Sequence, residues 1–200
     1  MHPLISVFGE TTARMFPLIL VIGREPNTHE QVSSNIGNYN FRDYPHCGFW
    51  NSSYRMVART ADMDTRTFKN ACEQRNSSLI LYADALPIGL PNVVQNKHLQ
   101  RRNVSHEQID THVTTLFDCH PSLTARIQCV ILSGLYESAF GYAQQRLRYE
   151  CQVRGIAWIE MPFFHGVNSK HIEAGLTSEH RQMIRSLVAQ FMAVPESMLC

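Results

Sequence analysis

The sequence predicts an α/β fold, a three-layer α/β/α sandwich with a central four-stranded parallel sheet. Four short apolar runs, rich in Ile, Leu and Val and bounded by Gly, Pro or Ser, are continuous rather than alternating, which is typical of strands covered on both faces. Helical patterns separate them, and strands that alternate with helices indicate a parallel sheet. The runs are Leu18 to Ile22, Leu79 to Tyr82, Cys129 to Leu132 and Ile156 to Met161.

The spacing of apolar residues predicts the helices. In several segments apolar side chains recur every three or four residues, which places them on one face of a helix. Ser105 and Gln108 have the spacing of a capping box, and the last helix is expected to begin at Thr177 or Ser178. The apolar stripes are Trp50-Tyr54-Val57-Ala58, Phe68-Ala71-Cys72, Ile109-Val113-Leu116-Phe117, Tyr136-Phe140-Ala143-Leu147 and Met183-Ile184-Leu187-Val188-Phe191.

Two polar segments, Asn27 to Gly48 and Pro87 to Asn103, are expected to be long loops. Gly, Asn and Pro interrupt both of them. Long loops in a compact domain are usually functional or mobile.

The composition suits a single domain over residues 1–200. A hydrophobic content of 44% is enough for one substantial core. A formal charge of +1 creates no global electric field that attracts nucleic acid or anionic lipid, although it is compatible with a local basic face. The six cysteines form no C-x-x-C pair and are expected to be reduced thiols. Without an apolar stretch of membrane-span length or a signal-peptide pattern, a cytoplasmic protein without a membrane partner is expected.

Polar turns follow the first and the last apolar run, and we expect the chemistry there. Gly23-Arg24-Glu25-Pro26-Asn27 follows the first run, and Pro162-Phe163-Phe164-His165-Gly166-Val167-Asn168 follows the last. The carboxyl ends of parallel strands meet at one edge of a sheet, where ligands bind.

Motifs of several common enzyme classes are absent from the sequence. It contains no G-x-G-x-x-G after a strand, no G-x-x-x-x-G-K-[ST], no G-x-S-x-G and no H-E-x-x-H. Cys119-His120 beside Cys129 lacks the second pair of ligands that a metal site needs. Neither a metal nor another cofactor is therefore expected.

The two turns resemble motifs of the uracil-DNA glycosylase superfamily, nearest its mismatch-specific branch, and the likeness covers roughly residues 16 to 192. The family's first motif falls on Gly23 to Asn27, the N-R-F-W stretch of that branch on Cys47 to Trp50, and the second motif on Met161 to Asn168. The resemblance implies a uracil-DNA-glycosylase-like fold and hydrolysis of the bond between a base and its deoxyribose. The base would be flipped out of the DNA first.

The resemblance also implies catalytic roles. Glu25 stands where the family has a water-positioning Asp or Asn, and its side chain is one methylene longer than that of Asp. It is therefore a working base, a base that has shifted position, or a disabled base. The alternative is a solvated carboxylate on a surface turn. His165 lies near the position that stabilises the departing base, with a loop His bonded to backbone as the alternative. Asn168, with Gly166, would bond a phosphate oxygen or fix the loop.

Further residues are expected to bind the base and the strand. Gly23, Arg24 and Asn27 flank Glu25 and would orient a phosphate or read a base edge. An aromatic ring in the following loop, either Phe41 or Tyr44, would stack on the base, unless both rings anchor a small satellite core. A basic track for DNA, or else a solvated helix start, would comprise Lys97, Arg101, Arg102, Ser169 and Lys170.

Three functions follow from this reading. The first is a monofunctional DNA glycosylase that removes a damaged or deaminated base, with single-stranded or mismatched DNA as partner and a monomer as the expected state. The second is a catalytically inactive nucleic-acid-binding or nucleotide-binding protein of the same fold. The third is an N-glycosidase that acts on small nucleosides or nucleotides.

Overall fold

The computed structural model describes residues 1–27, 30–40, 48–90, 100–101, 103–136, 138–162 and 175–194. Over these residues the chain forms an α/β fold with a six-stranded, mostly parallel sheet flanked by helices, in the order β3-β1-β4-β2-β5-β6. The strands are β1 (His2–Val7), β2 (Leu18–Gly23), β3 (Val32–Asn38), β4 (Ile80–Asp84), β5 (Ile127–Ser133) and β6 (Ala157–Met161).

The four predicted strands are all present and adjacent, as β4, β2, β5 and β6. All neighbours among them are parallel, and Ile19 of β2 lies between Ile80 and Cys129 of the flanking strands. Every residue of β2 is buried, because helices cover both faces of the sheet at this point. The continuous apolar run that predicted this strand therefore reflects its central position.

The sheet has six strands rather than the expected four. Strand β1 is antiparallel to β4, with Ser6 opposite Tyr82, and β3 pairs in parallel with β1 at the edge. Strand β3 lies inside the segment 27–48 that was expected to be a loop. Its sequence, VSSNIGN, has no apolar run because the strand is partly exposed and is held mainly by backbone pairing to β1.

Strand β6 is half-buried rather than covered on both faces. Ile159 and Met161 point into the core, whereas Ala157 and Glu160 are exposed. The strand is at the edge of the sheet, and Glu160 forms an ion pair with Arg148 of the preceding helix. Alternating burial is the expected pattern for such a strand.

The helices form two groups that flank the sheet, an arrangement compatible with a three-layer α/β/α fold. Helix α1 packs against α2 and α6, and α3 packs against α4 and α5. None of the described helices is long and apolar enough to cross a membrane. The helices are α1 (Gly48–Thr60), α2 (Thr65–Gln74), α3 (His106–Asp118), α4 (Pro121–Thr124), α5 (Gly141–Val153) and α6 (Ser178–Ala193).

The predicted helix starts are confirmed at α3 and α6. Ser105 and Gln108 form a complete capping box, and Thr177 caps α6 in the same way with His180 as its partner. The prediction that the next helical stripe begins at Tyr136 is wrong. A turn and a short 3₁₀ segment, Ser138–Phe140, precede α5, so Tyr136 lies outside the helix.

Four cysteines in the described part are free thiols. Cys72, Cys129 and Cys151 are buried and Cys119 is exposed. Burial raises the pKa of Cys72 and of Cys151 to about 12, so both are protonated at neutral pH. These three buried thiols act as small apolar side chains.

Candidate functional site at the carboxyl edge of the sheet

The carboxyl ends of β2 and β5 meet at the point where the chain changes direction along the sheet. After β2, the next strand of the parallel core, β4, pairs on one side of it, and the following strand, β5, pairs on the other. In open α/β sheets such a switch point leaves a crevice between the two connections, and ligands bind there. The turn Gly23-Arg24-Glu25, at the end of β2, forms one side of this switch point.

Arg24 bridges the switch point from β2 to β5. Its Nε donates to the carbonyl oxygen of Gly134 at 3.1 Å. The amide of Gly134 in turn donates to the carbonyl oxygen of Met161, at the end of β6, at 2.8 Å. Gly134 has a φ of +73°, which a side chain would disfavour. The ends of the two strands that precede the motifs, β2 and β6, are therefore joined through β5.

Glu25 forms a bidentate ion pair with Arg101. The Nη2 of Arg101 donates to Oε1 at 2.7 Å and its Nε donates to Oε2 at 3.1 Å. Only 3% of the Glu25 side chain and 12% of the Arg101 side chain are exposed. The two charges are thus largely removed from water and depend on each other. The sequence assigned Glu25 to catalysis and Arg101 to DNA binding; the structure brings them together.

The ring of Phe140 lies beside both arginines of this cluster. The guanidinium carbon of Arg24 is 5.6 Å from the ring centroid and that of Arg101 is 5.0 Å from it, distances that permit cation–π attraction. Phe140 is fully buried, which fixes the position of the ring.

Gly23 is in close contact with an aromatic ring and a carboxylate. A Cβ at this position would lie 3.2 Å from Cζ of Phe49 and 3.1 Å from Oδ1 of Asp84. Phe49, at the start of α1, is half-buried and packs on Tyr82, with ring centroids 5.6 Å apart. A residue larger than glycine would displace one of these two side chains.

Asp84, at the end of β4, connects this edge to two histidines. Its Oδ2 lies 3.2 Å from Nε2 of His2, in β1, and its main-chain oxygen accepts a hydrogen bond of 2.8 Å from Nε2 of His112, in α3. The side chains of His2 and Asp84 are each about one quarter exposed. An imidazole oriented by a carboxylate can exchange protons with a ligand, so the pair has the chemical means for acid–base work.

Most of the other predicted site residues lie outside the described residues. Of the predicted base-binding residues, Asn27 is described and is exposed at the end of the β2 turn. The convergence of Glu25 with His165 stays a prediction, although the strands before them end at the same edge. The residues outside are Phe41, Tyr44, Lys97, Arg102, His165, Gly166, Asn168, Ser169 and Lys170.

Sequence reasoning missed three residues at this edge. Asp84 ends a strand and precedes a Pro turn, which is a signal that could have identified it. Phe49 lies within a motif to which only the resemblance drew attention. Tyr136, two residues after Gly134, has 57% of its surface exposed, and the helical pattern concealed it. An exposed aromatic ring that follows a strand end at the switch point is a candidate for stacking.

The described residues contain no group of three or more His, Cys, Asp or Glu side chains placed to hold a metal ion. The chain matches no protein-family model, and a search of curated proteins finds no match.

Proposed function

We propose that this chain is a uracil-DNA-glycosylase-like protein that binds a flipped base at the carboxyl edge and hydrolyses its N-glycosidic bond. The observation that carries the proposal is the position of Glu25, buried directly after β2 at the switch point and held there by Arg101. The first motif of the resemblance thus coincides with the place where α/β sheets bind ligands. The proposal includes a three-layer fold, a monomer and a cytoplasmic location.

The geometry of Glu25 fits an electrostatic role. Both carboxylate oxygens accept hydrogen bonds from Arg101, which fixes the charged group at the end of β2. A fixed carboxylate near the sugar would stabilise the positive charge that develops as the base departs. Arg24, across the switch point, supplies a cation for a phosphate of the strand.

The close packing at Gly23 supports a flat ligand. The half-buried Phe49 ring and the Asp84 carboxylate approach the same backbone position, so an aromatic ring and a hydrogen-bond acceptor lie side by side there. A base edge can donate to such a carboxylate while its face contacts the ring. Damaged or deaminated bases in single-stranded or mismatched DNA are the proposed substrates, because they are the easiest to flip.

A second candidate, a nucleic-acid-binding protein without catalysis, is favoured by one observation. The Glu25 carboxylate is almost fully enclosed and both of its oxygens are bound by Arg101. A carboxylate enclosed in this way meets little solvent water, so hydrolysis requires that Arg101 move or that water enter with the ligand. A protein in which neither occurs would bind DNA and leave the base in place.

The first experiment separates these candidates. Oligonucleotides that contain uracil, hypoxanthine or xanthine, single-stranded and mismatched, are incubated with the protein, and released base is measured by chromatography alongside binding by fluorescence anisotropy. Base release supports the glycosylase. Binding without release supports the second candidate, and neither binding nor release contradicts both. Release from free nucleosides alone would indicate a small-molecule N-glycosidase.

The second experiment tests the role of Glu25. Glu25→Gln is expected to reduce base release on the order of a hundredfold or more while DNA binding persists, because the charge is lost and the shape is retained. Glu10→Gln is the matched control, since Glu10 also pairs with an arginine, Arg14, but outside the switch point. Full activity of Glu25→Gln would refute the assignment.

The stability of the variants is measured in parallel. Arg101→Gln removes the bidentate partner of the buried Glu25 charge and is expected to lower the free energy of unfolding by about 3 to 5 kcal/mol. The double variant Glu25→Gln/Arg101→Gln removes both charges of this pair and should regain part of this loss. Urea denaturation followed by circular dichroism gives both values and shows whether a loss of activity is only a loss of fold.

A further inference from the structure

A cavity lies on the other side of β4 from the switch point. It has a volume of about 520 Å³ and opens between α3, the first residues of β1 and β3, and the turn after β4. This volume is within the range of pockets that enclose small molecules. Its apolar part is formed by Leu4, Val32, Pro87 and Ile88.

The lining of this cavity disfavours anions. None of the described residues that line it is Lys or Arg, and Glu107, an exposed residue of α3, contributes a carboxylate. Ser33, Ser34 and Thr111 add uncharged polar groups around the opening. A phosphate here would meet the like charge of Glu107, whereas an uncharged molecule would not.

His112 supplies a neutral acceptor in the cavity wall. The residue is 6% exposed, and its Nε2 lies 2.8 Å from the main-chain oxygen of Asp84. A carbonyl oxygen only accepts, so the proton is on Nε2 and the other ring nitrogen, Nδ1, is an acceptor. No donor within the described part of the chain reaches Nδ1. Burial lowers the pKa of His112, so the ring is uncharged at neutral pH.

We propose that this cavity binds an uncharged heterocycle whose N–H group donates to Nδ1 of His112 and whose ring lies on the apolar part. The apolar part favours an uncharged ring, Nδ1 of His112 is an acceptor for its N–H donor, and the Glu107 carboxylate disfavours a charged phosphate ester. This site is separate from the switch point and does not depend on the glycosylase proposal.

The test uses thymidine as the uncharged probe and thymidine 5′-monophosphate as its charged counterpart. Thymidine is expected to shift the ¹⁵Nδ1 resonance of His112 with a Kd on the order of 1 mM or tighter, and the monophosphate to bind at least about tenfold more weakly. No shift at His112 with thymidine, or equal binding of the two probes, would overturn the proposal. Base release is not measured, so the outcome is independent of the proposed activity.

A blocking variant verifies the location. Thr111 is exposed at the opening of the cavity, so Thr111→Trp is expected to fill it and weaken thymidine binding by at least about tenfold without loss of fold. Ala189→Trp, at an exposed position of α6, is the matched control and should bind as the unaltered protein does. Unchanged binding in Thr111→Trp would place the ligand elsewhere and overturn the proposal.

Discussion

Individual arginines hold distant segments of this chain together through main-chain carbonyl groups. Arg126 donates to Phe16 at 3.0 Å and to Thr11 at 3.1 Å, and Arg75 donates to Met192 at 3.1 Å. Arg24 does the same at the switch point. The planar guanidinium, with several fixed donors, suits this role better than lysine does. The residue type alone is therefore not enough to assign an arginine of this chain to a phosphate contact.

The buried imidazole of His112 predicts a pH dependence of stability. Burial lowers the pKa of His112 in the folded state below its ordinary value of 6.5. As the pH falls below 6.5, the unfolded chain therefore binds a proton that the folded chain does not. The stabilising contribution is complete above this value and is lost as the pH falls below it. Each proton of difference changes the free energy of unfolding by up to about 1.4 kcal/mol per pH unit.

The measurement is urea denaturation between about pH 7.5 and 5, compared with His112→Gln. Glutamine retains a side-chain N–H for the Asp84 carbonyl oxygen but does not titrate, so the variant should lose less stability on acidification. Carboxylates and other histidines contribute equally to both curves. Identical slopes would show that His112 takes up its proton in the folded state as easily as in the unfolded state.

The candidate site shows why residue partners escape a sequence pattern. Glu25 and Arg101 are 76 positions apart, and no periodicity connects them. Glu25 could be identified from the sequence because it follows a buried strand. The role of Arg101 could not be identified, because a cation in a polar segment is compatible with DNA binding and with ion pairing. Asp84 and His112 meet only through the fold, since one ends a strand and the other lies within an amphipathic helix.

At the level of single elements, the ends of the helices were more predictable than those of the strands. The caps of α3 and α6 depend on side chains three residues apart, so the sequence contains the whole interaction. Strand β3 depends on a partner some thirty residues away, with Ile36 next to Ile5, and its own residues are Ser, Asn and Gly for the most part. Local sequence signals were therefore sufficient to predict the two helix caps, whereas strand β3 has no such signal.

Removal of either cap should destabilise the protein. Ser105→Ala and Thr177→Ala each remove the acceptor for a backbone N–H, of Gln108 and His180 respectively, and are expected to cost about 0.5 to 2 kcal/mol. Ser105→Asp and Thr177→Asp keep an acceptor and serve as controls, with losses well below those of the alanine variants. Equal losses for alanine and aspartate would assign the effect to something other than the caps.

At the level of the whole molecule, stability is expected to concentrate in the parallel core. Strand β2 is buried throughout and has a neighbour on each side, whereas β3 pairs only with β1 among the described strands. Strands β2, β4 and β5 were predictable because burial on both faces demands a continuous apolar sequence. The antiparallel addition of β1 and β3 was not, because their apolar residues are few and interrupted.

The same substitution at two positions tests this gradient. Ile19→Ala, in β2, is expected to lower the free energy of unfolding by about 2 to 5 kcal/mol, because it leaves a cavity in a fully packed site. Ile36→Ala, in the partly exposed β3, should cost less than half as much. Denaturant titration of both variants measures the difference, and similar losses would show that β3 contributes to the fold as much as the centre does.

The reversed direction of β1 has a practical consequence for experiments on this protein. Because β1 runs against β4, its first residues emerge at the same side as Asp84, and the amino group of Met1 pairs with Glu30 there. An affinity tag fused ahead of Met1 would replace that amino group and remove its ion pair with Glu30 on the side of Asp84. Helix α6 ends near Arg75, at the opposite rim, so its end is the better side for a purification handle in ligand-binding measurements.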